Sequence, residues 1–267
     1  MKIVDRHLMS AIASVTAVML AIPVAGALAR PANMLELDRG AFGLSDIGMT
    51  GGSNMGNLLL SEGNTITQIT SLPQSYTGYD AVWVSYSPGA ALTASEISSL
   101  HAFVSAGGKL VLIGDSTANG QDTAAWDASL AAVVGGGIGA TVGAAVFVSP
   151  VVTDTLTDGL SSGQPNGVRF KGFSTIDPLA GSPDLLFDIG IAGFYDVGAG
   201  EALMILDTDW MSNSTSAGVA ARFGNAQFAH NISVWLDPPG DPVPEPGSLA
   251  VIGFGLLAVA GLRRRQR

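Results

Sequence analysis

YDAVWVSYSPGAALTASEISSLHAFVSAGGKLVLIGDS, residues 79–116, reads as a complete strand–helix–strand unit. Ala81 to Tyr86 is a nearly continuous apolar run, the pattern of a strand buried on both faces of a parallel sheet. Thr93 followed by Glu96 is a capping box, so a helix is predicted over Ala94–Ser105. Ile97, Leu100, His101 and Val104 share one face of it. Gly107-Gly108 stops the helix, and Lys109 to Ile113 is a second buried strand, ending in Gly114-Asp115-Ser116. A parallel pair joined by a helix implies a right-handed crossover and an α/β domain.

Further elements extend the unit in both directions. Upstream, Met34–Asp38 suits an edge strand, Ser53-Asn54 a helix cap with the helix running to Leu60, and TITQIT (Thr65–Thr70) an alternating strand. Downstream, a helix is expected over Asp122–Val134, then a flexible glycine-rich stretch Gly135–Gly143 and a strand over Ala144–Val148. Residues 150–200 read as an insertion of short strands, including Asp184–Ile189 and Gly193–Val197. Ala202–Leu206 is a strand leading into Asp207-Thr208-Asp209-Trp210, and the last helix is expected over Val219–Leu236. The domain expected is therefore residues 30–236, a mostly parallel sheet flanked by helices.

Residues 79–116, with the late ALMILDTDWMSN and the helix GNAQFAHNISVWL, resemble domains of the class I glutamine-amidotransferase-like, flavodoxin-like fold. The resemblance implies a fold and not an activity. The catalytic members use a cysteine at a sharp elbow, and this chain has no cysteine.

The two ends carry a different kind of information. Residues 1–29 have the order of a secretory signal peptide: Lys2 and Arg6, an apolar run Leu8–Ile22, then Ala27-Leu28-Ala29. The other end is tripartite. Val243-Pro244-Glu245-Pro246 is held extended by its prolines, which lack backbone N–H groups. An uncharged run, Ser248–Leu262, would span roughly 22 Å as a helix, short of a ~30 Å hydrocarbon core. Arg263, Arg264, Arg265 and Arg267 then act as the membrane stop, orienting the C-terminus to the cytoplasm. Asp237–Pro242 is a stiff linker.

This tail resembles the PEP-CTERM sorting signal of Gram-negative bacteria, over residues 243–267. The resemblance implies that Pro244, Glu245 and Pro246 are the residues recognised by an exosortase. It also implies a precursor that the Sec translocon and signal peptidase deliver to the inner membrane, anchored there by residues 248–262. The processed protein then goes to the outer surface or an extracellular exopolysaccharide matrix. The alternative is an ordinary single-pass anchor behind a proline-rich linker.

Composition sets bounds on function. The chain has 12 basic and 22 acidic residues, a net charge of −10. Without the signal segment and the tail arginines, residues 30–246 keep six basic and 21 acidic residues, about −15. Such a surface repels nucleic acid, which is excluded as a partner. Without cysteine there is no disulfide, thiolate metal site or thiol nucleophile.

Ligands of open α/β sheets bind beyond the carboxyl ends of the strands, where Asp115-Ser116 and Asp207-Thr208-Asp209 fall. One reading is a cation such as Ca2+ held by Asp115, Asp207 and Asp209, with Trp210 against a ligand, core packing being the other role open to that tryptophan. A second is a hydrolase of envelope or matrix glycans or esters, using Ser116, His230 and Asp209. Gly-Asp-Ser resembles the first block of GDSL hydrolases, but it lies mid-chain and Gln227 stands where an Asp should precede the histidine. The third reading is structural: Asp and Ser end strands by satisfying turn N–H groups. A non-catalytic or ligand-binding domain with no firm cofactor is the expectation.

Overall fold

The computed structural model describes residues 30–238, apart from 41, 49–50, 90, 117–122, 162–166, 214–217 and 219–222. The expected signal segment (1–29), sorting tail and transmembrane segment (248–262) lie outside the described residues. Among those described, no helix is long and apolar enough to cross a membrane. Arg30–Pro238 forms one compact unit.

A seven-stranded sheet organises this unit. Its strands are β1 (Asn33–Leu37), β2 (Thr65–Ile69), β3 (Ala81–Val84), β4 (Lys109–Ile113), β7 (Asp184–Leu185), β8 (Ala192–Val197) and β9 (Gly200–Ile205). Their order is β2-β1-β3-β4-β9-β8-β7. The first five run parallel, and β8 and β7 add antiparallel. Four helices complete the unit: α1 (Ser53–Ser61), α2 (Ala94–Ser105), α3 (Ala124–Val134) and α4 (Phe223–Leu236). They contact one another in two pairs, α1 with α4 and α2 with α3. A mostly parallel sheet flanked by helices is the architecture the sequence predicts.

The local physics of residues 79–116 holds. Ala81, Val82, Trp83 and Val84 are all fully buried, as are Leu110 to Ile113. Each large side chain so removed from water contributes roughly 1.5–3 kcal/mol. Thr93 accepts the Glu96 N–H while Glu96 accepts the Thr93 N–H, the expected capping box. Gly107 ends α2 with φ +110°, a backbone that side-chain-bearing residues avoid.

Elsewhere the structure corrects the reading. Residues 33–37 are not an edge strand: β1 lies between β2 and β3, and β2 is the edge. α1 is preceded by Gly52 without a side-chain cap, so Ser53 is inside the helix. Residues 138–143 of the stretch expected to be flexible belong to β5 (Ile138–Val148), an 11-residue strand whose second half is the one expected over Ala144–Val148. It pairs antiparallel with β6 (Val168–Ile176) in a separate two-stranded sheet. Lys171 and Gly172 interrupt the apolar pattern of β6 and hid it. Asp184–Ile189 shrinks to the two-residue β7.

Candidate functional site

The carboxyl ends of β1, β3, β4 and β9 converge on one edge of the sheet. Buried there are Glu36, Asp38, Ser85, Asp115, Ser116, Asp127, Ser174, Asp207 and Thr208. Short strands with apolar bodies deliver these groups: the run from Leu110 to Ile113 ends at Asp115, and the run from Ala202 to Leu206 ends at Asp207.

Asp115 and Asp127 are neighbours. The Asp115 N–H donates to Asp127 Oδ1 at 3.2 Å. Asp115 accepts the Ser116 N–H at 2.8 Å and the Thr208 hydroxyl at 3.2 Å. Asp127 Oδ2 is buried without a hydrogen-bond partner. Burial, the leading cause, pushes each carboxyl up to about 7. Hydrogen bonds pull both back, while Asp209 adds to the rise at Asp115 and Asp115 to that at Asp127. Burial, then these two acids, also raises the Tyr86 phenol.

Asp207 is held differently. Its oxygens accept the N–H groups of Lys171 and Asp209, each at 2.7 Å. Burial raises it, with Asp209 and Asp115 adding to the rise. Asp209 is raised by burial and lowered by Lys171 and Arg169. On β1, Glu36 accepts the Leu44 N–H (2.6 Å) and the Ser85 hydroxyl (2.7 Å), leaving Oε2 unpartnered.

The residues expected to form a hydrolase do not assemble. Ser116 and Asp209 lie on this edge. His230 is on α4, its Nδ1 2.6 Å from Glu62 Oε1 on the α1 side. His101, exposed on α2, meets the Val133 carbonyl at 2.8 Å. Trp210 is fully buried, its ring centroid 5.1 Å from that of Phe228, so core packing holds it instead of an open loop. Among the described residues, no three His, Asp or Glu side chains are placed to hold one metal ion. Pro244, Glu245, Pro246 and the four tail arginines lie outside the described residues.

Sequence reasoning missed Asp127, Tyr86 and Ser174. Only an Asp in the first turn of a helix, after a strand ending in Gly-Asp-Ser, hinted at the first of them. It also missed an open cleft of about 820 Å³ beyond β1 and β2, lined by Asp38, Arg39, Gly40, Gln68, Thr70 and Ser71 among others. There the Gln68 amide bridges Asp38 and Ser45, and Arg39 is paired with Glu96.

Residues 242–265 match the PEP-CTERM protein-sorting motif, so the chain carries the expected signal. The motif is the mark of an exported, exosortase-sorted protein. No curated protein matches the chain. Among solved structures, a cytoplasmic protein from Salmonella typhimurium is similar at 14% identity and TM-score 0.56, over 77% of this chain and 99% of that one. A beta-galactosidase from Rahnella sp. R3 is similar at 16% identity and TM-score 0.51. That match covers 90% of this chain but only 37% of the galactosidase. A glutamine amidotransferase from Thermotoga maritima is similar at 14% identity and TM-score 0.45, over 72% of this chain and 79% of that one. At these identities the likeness is one of fold, and the first two carry it.

Proposed function

We propose that this chain is an exported surface or matrix protein whose α/β domain binds a ligand without transforming it. The sorting motif at residues 242–265, behind a compact unit ending at Pro238, carries this reading. The precursor enters the envelope through its signal segment and is held at the inner membrane by residues 248–262. An exosortase recognises Pro244-Glu245-Pro246 and releases the domain outward.

The cleft beyond β1 and β2 is the ligand surface in this proposal. Among its described lining residues the one cation, Arg39, is already paired with Glu96, and Asp38 sits beside it. An anionic ligand is therefore disfavoured, and the hydroxyls of Thr70 and Ser71 suit an uncharged polyhydroxyl chain such as a matrix polysaccharide. A hydrolase reading loses its support, because His230 stands at Glu62 and not beside Ser116.

The test is to replace Pro244, Glu245 and Pro246 with alanine in a host that carries an exosortase. The wild type is expected to lose its C-terminal segment and reach the surface, and the variant to stay full-length in the inner membrane. If both stay full-length there, the tail is a plain anchor and the proposal fails.

A further inference from the structure

The Asp115–Asp127 pair has a consequence that neither sorting nor the cleft uses. Asp127 is 1% exposed and Asp115 7% exposed. Asp127 Oδ1 accepts the Asp115 N–H, and Oδ2 has no partner. An ionised carboxylate oxygen buried without a donor costs several kcal/mol by order of magnitude, and the usual escape is protonation.

Among the described residues the surroundings offer little other relief. From β6, the Ser174 hydroxyl lies 3.0 Å from the Asp115 carbonyl, to which it donates, and its hydroxyl dipole only partly offsets the burial of Asp127. From the end of β9, Thr208 donates to Asp115, while Asp209 adds to the rise at Asp115. From the end of β3, Tyr86 faces both acids. The nearby cations, Lys171 and Arg169, act on Asp209. Among the described residues, no Lys, Arg or His forms a salt bridge with Asp115 or Asp127. Gly114 packs so closely that a Cβ there would lie 2.5 Å from Asp127 Oδ1, which keeps the carboxyl in place.

We infer that Asp115 and Asp127 form a buried proton-binding site that couples the stability of this sheet edge to the pH of the surrounding medium. The sign follows from linkage. Both carboxyls have folded-state values raised to about 7 from the ordinary aspartate value of 3.8. Below about 4 both folded and unfolded chains hold the protons, and the pair carries no penalty. Between about 4 and 7 the folded chain keeps a proton that the unfolded chain releases, so stability falls as pH rises. Above about 7 the loss is complete and stays constant. A domain sent outside the cell, where pH is not buffered by the cytoplasm, thus tightens in mildly acid medium and loosens in alkaline medium.

Glu36, Asp207, Asp209 and Asp237 are also raised, chiefly by burial, so a falling stability curve alone does not isolate the pair. The experiment is urea unfolding of the full chain in detergent, from pH 5 to 9, for wild type and Asp127→Asn. Tryptophan fluorescence reports the transition through the buried Trp83, Trp126 and Trp210. The unfolding constant of wild type is expected to rise about tenfold per pH unit for each proton held. Asp127→Asn is expected to remove close to one proton's worth of that slope and to match or exceed wild type above pH 8. An unchanged slope in the variant overturns the inference. If the variant does not fold, carboxyl ¹³C titration of the wild type decides: an Asp127 signal moving near pH 7 supports the site, and one moving near pH 4 refutes it.

Discussion

The two ends of the parallel strands handle charge in opposite ways. At the amino ends, charges meet donors or acceptors of the right kind. Arg30 grips Asp80 with two hydrogen bonds, at 2.7 and 2.9 Å, and Asp80 also accepts the Asn33 N–H at 2.8 Å. Lys109 donates to the Trp235 and Asp237 carbonyls at the end of α4 and stands 5.4 Å over the Trp235 ring. Trp235 in turn donates to Glu201 at 2.9 Å. At the carboxyl ends, Glu36, Asp115, Asp127 and Asp207 are buried among amides, hydroxyls and other carboxyls, and among the described residues none of the four has a salt bridge. One end is built to hold the fold closed. The other keeps acids in a state that favours neutrality, the kind of perturbed cluster found where a fold does something besides stand still.

Two glycines test this contrast. At the amino end, a Cβ on Gly200 would run into the backbone carbonyls of Val104 and Gly108, which cannot swing aside. Gly200→Ala is expected to cost about 3 kcal/mol or more, read as a lowered urea midpoint or loss of soluble protein. At the carboxyl end, a Cβ on Gly114 would meet the side chains of Asp127 and Leu206, the latter at 2.6 Å, and side chains can turn. Gly114→Ala should therefore cost less, about 1–3 kcal/mol, and should also alter the slope of stability with pH by displacing Asp127. Equal costs for the two substitutions, with no change of slope, would erase the distinction between a rigid and an adjustable edge.

How much of this was legible depended on whether the signal was local. Thr93 with Glu96, Gly107-Gly108 and the apolar runs at 81–86 and 109–113 are local patterns with a local cause, and they appear where the sequence placed them. The position of β1 inside the sheet was not legible, because an apolar five-residue strand looks the same at an edge as in the middle. The first half of β5, residues 138–143, was hidden by its glycines, which carry little β preference and become a strand only by pairing with β6, whereas the second half was expected. At the site, the strand-end acids Asp115, Asp207 and Asp209 could be read as a group. Asp127 could not, since its partnership with Asp115 arises from how α3 returns to the end of β4. Trp210 could be read either as a ligand contact or as core, because a tryptophan after a strand looks free until Phe228 of α4 closes over it.

The smallest expected effect bears on the residue that a catalytic reading needs most. His230 and Glu62 touch at 2.6 Å, with side chains 50% and 25% exposed. Water screens such a pair and side-chain entropy opposes it, so exposed ion pairs contribute about 0–1 kcal/mol. His230→Gln, which keeps a hydrogen-bonding side chain of similar reach, is expected to shift the urea midpoint by less than about 1 kcal/mol and to leave export and the pH slope unchanged. Were His230 a base acting on Ser116, the same variant would abolish hydrolysis of ester or glycan substrates while leaving stability intact. Measuring stability and hydrolysis on one preparation separates the two cases. A loss of activity without loss of stability would make the α1–α4 side the working surface and reduce the acidic edge to a structural one.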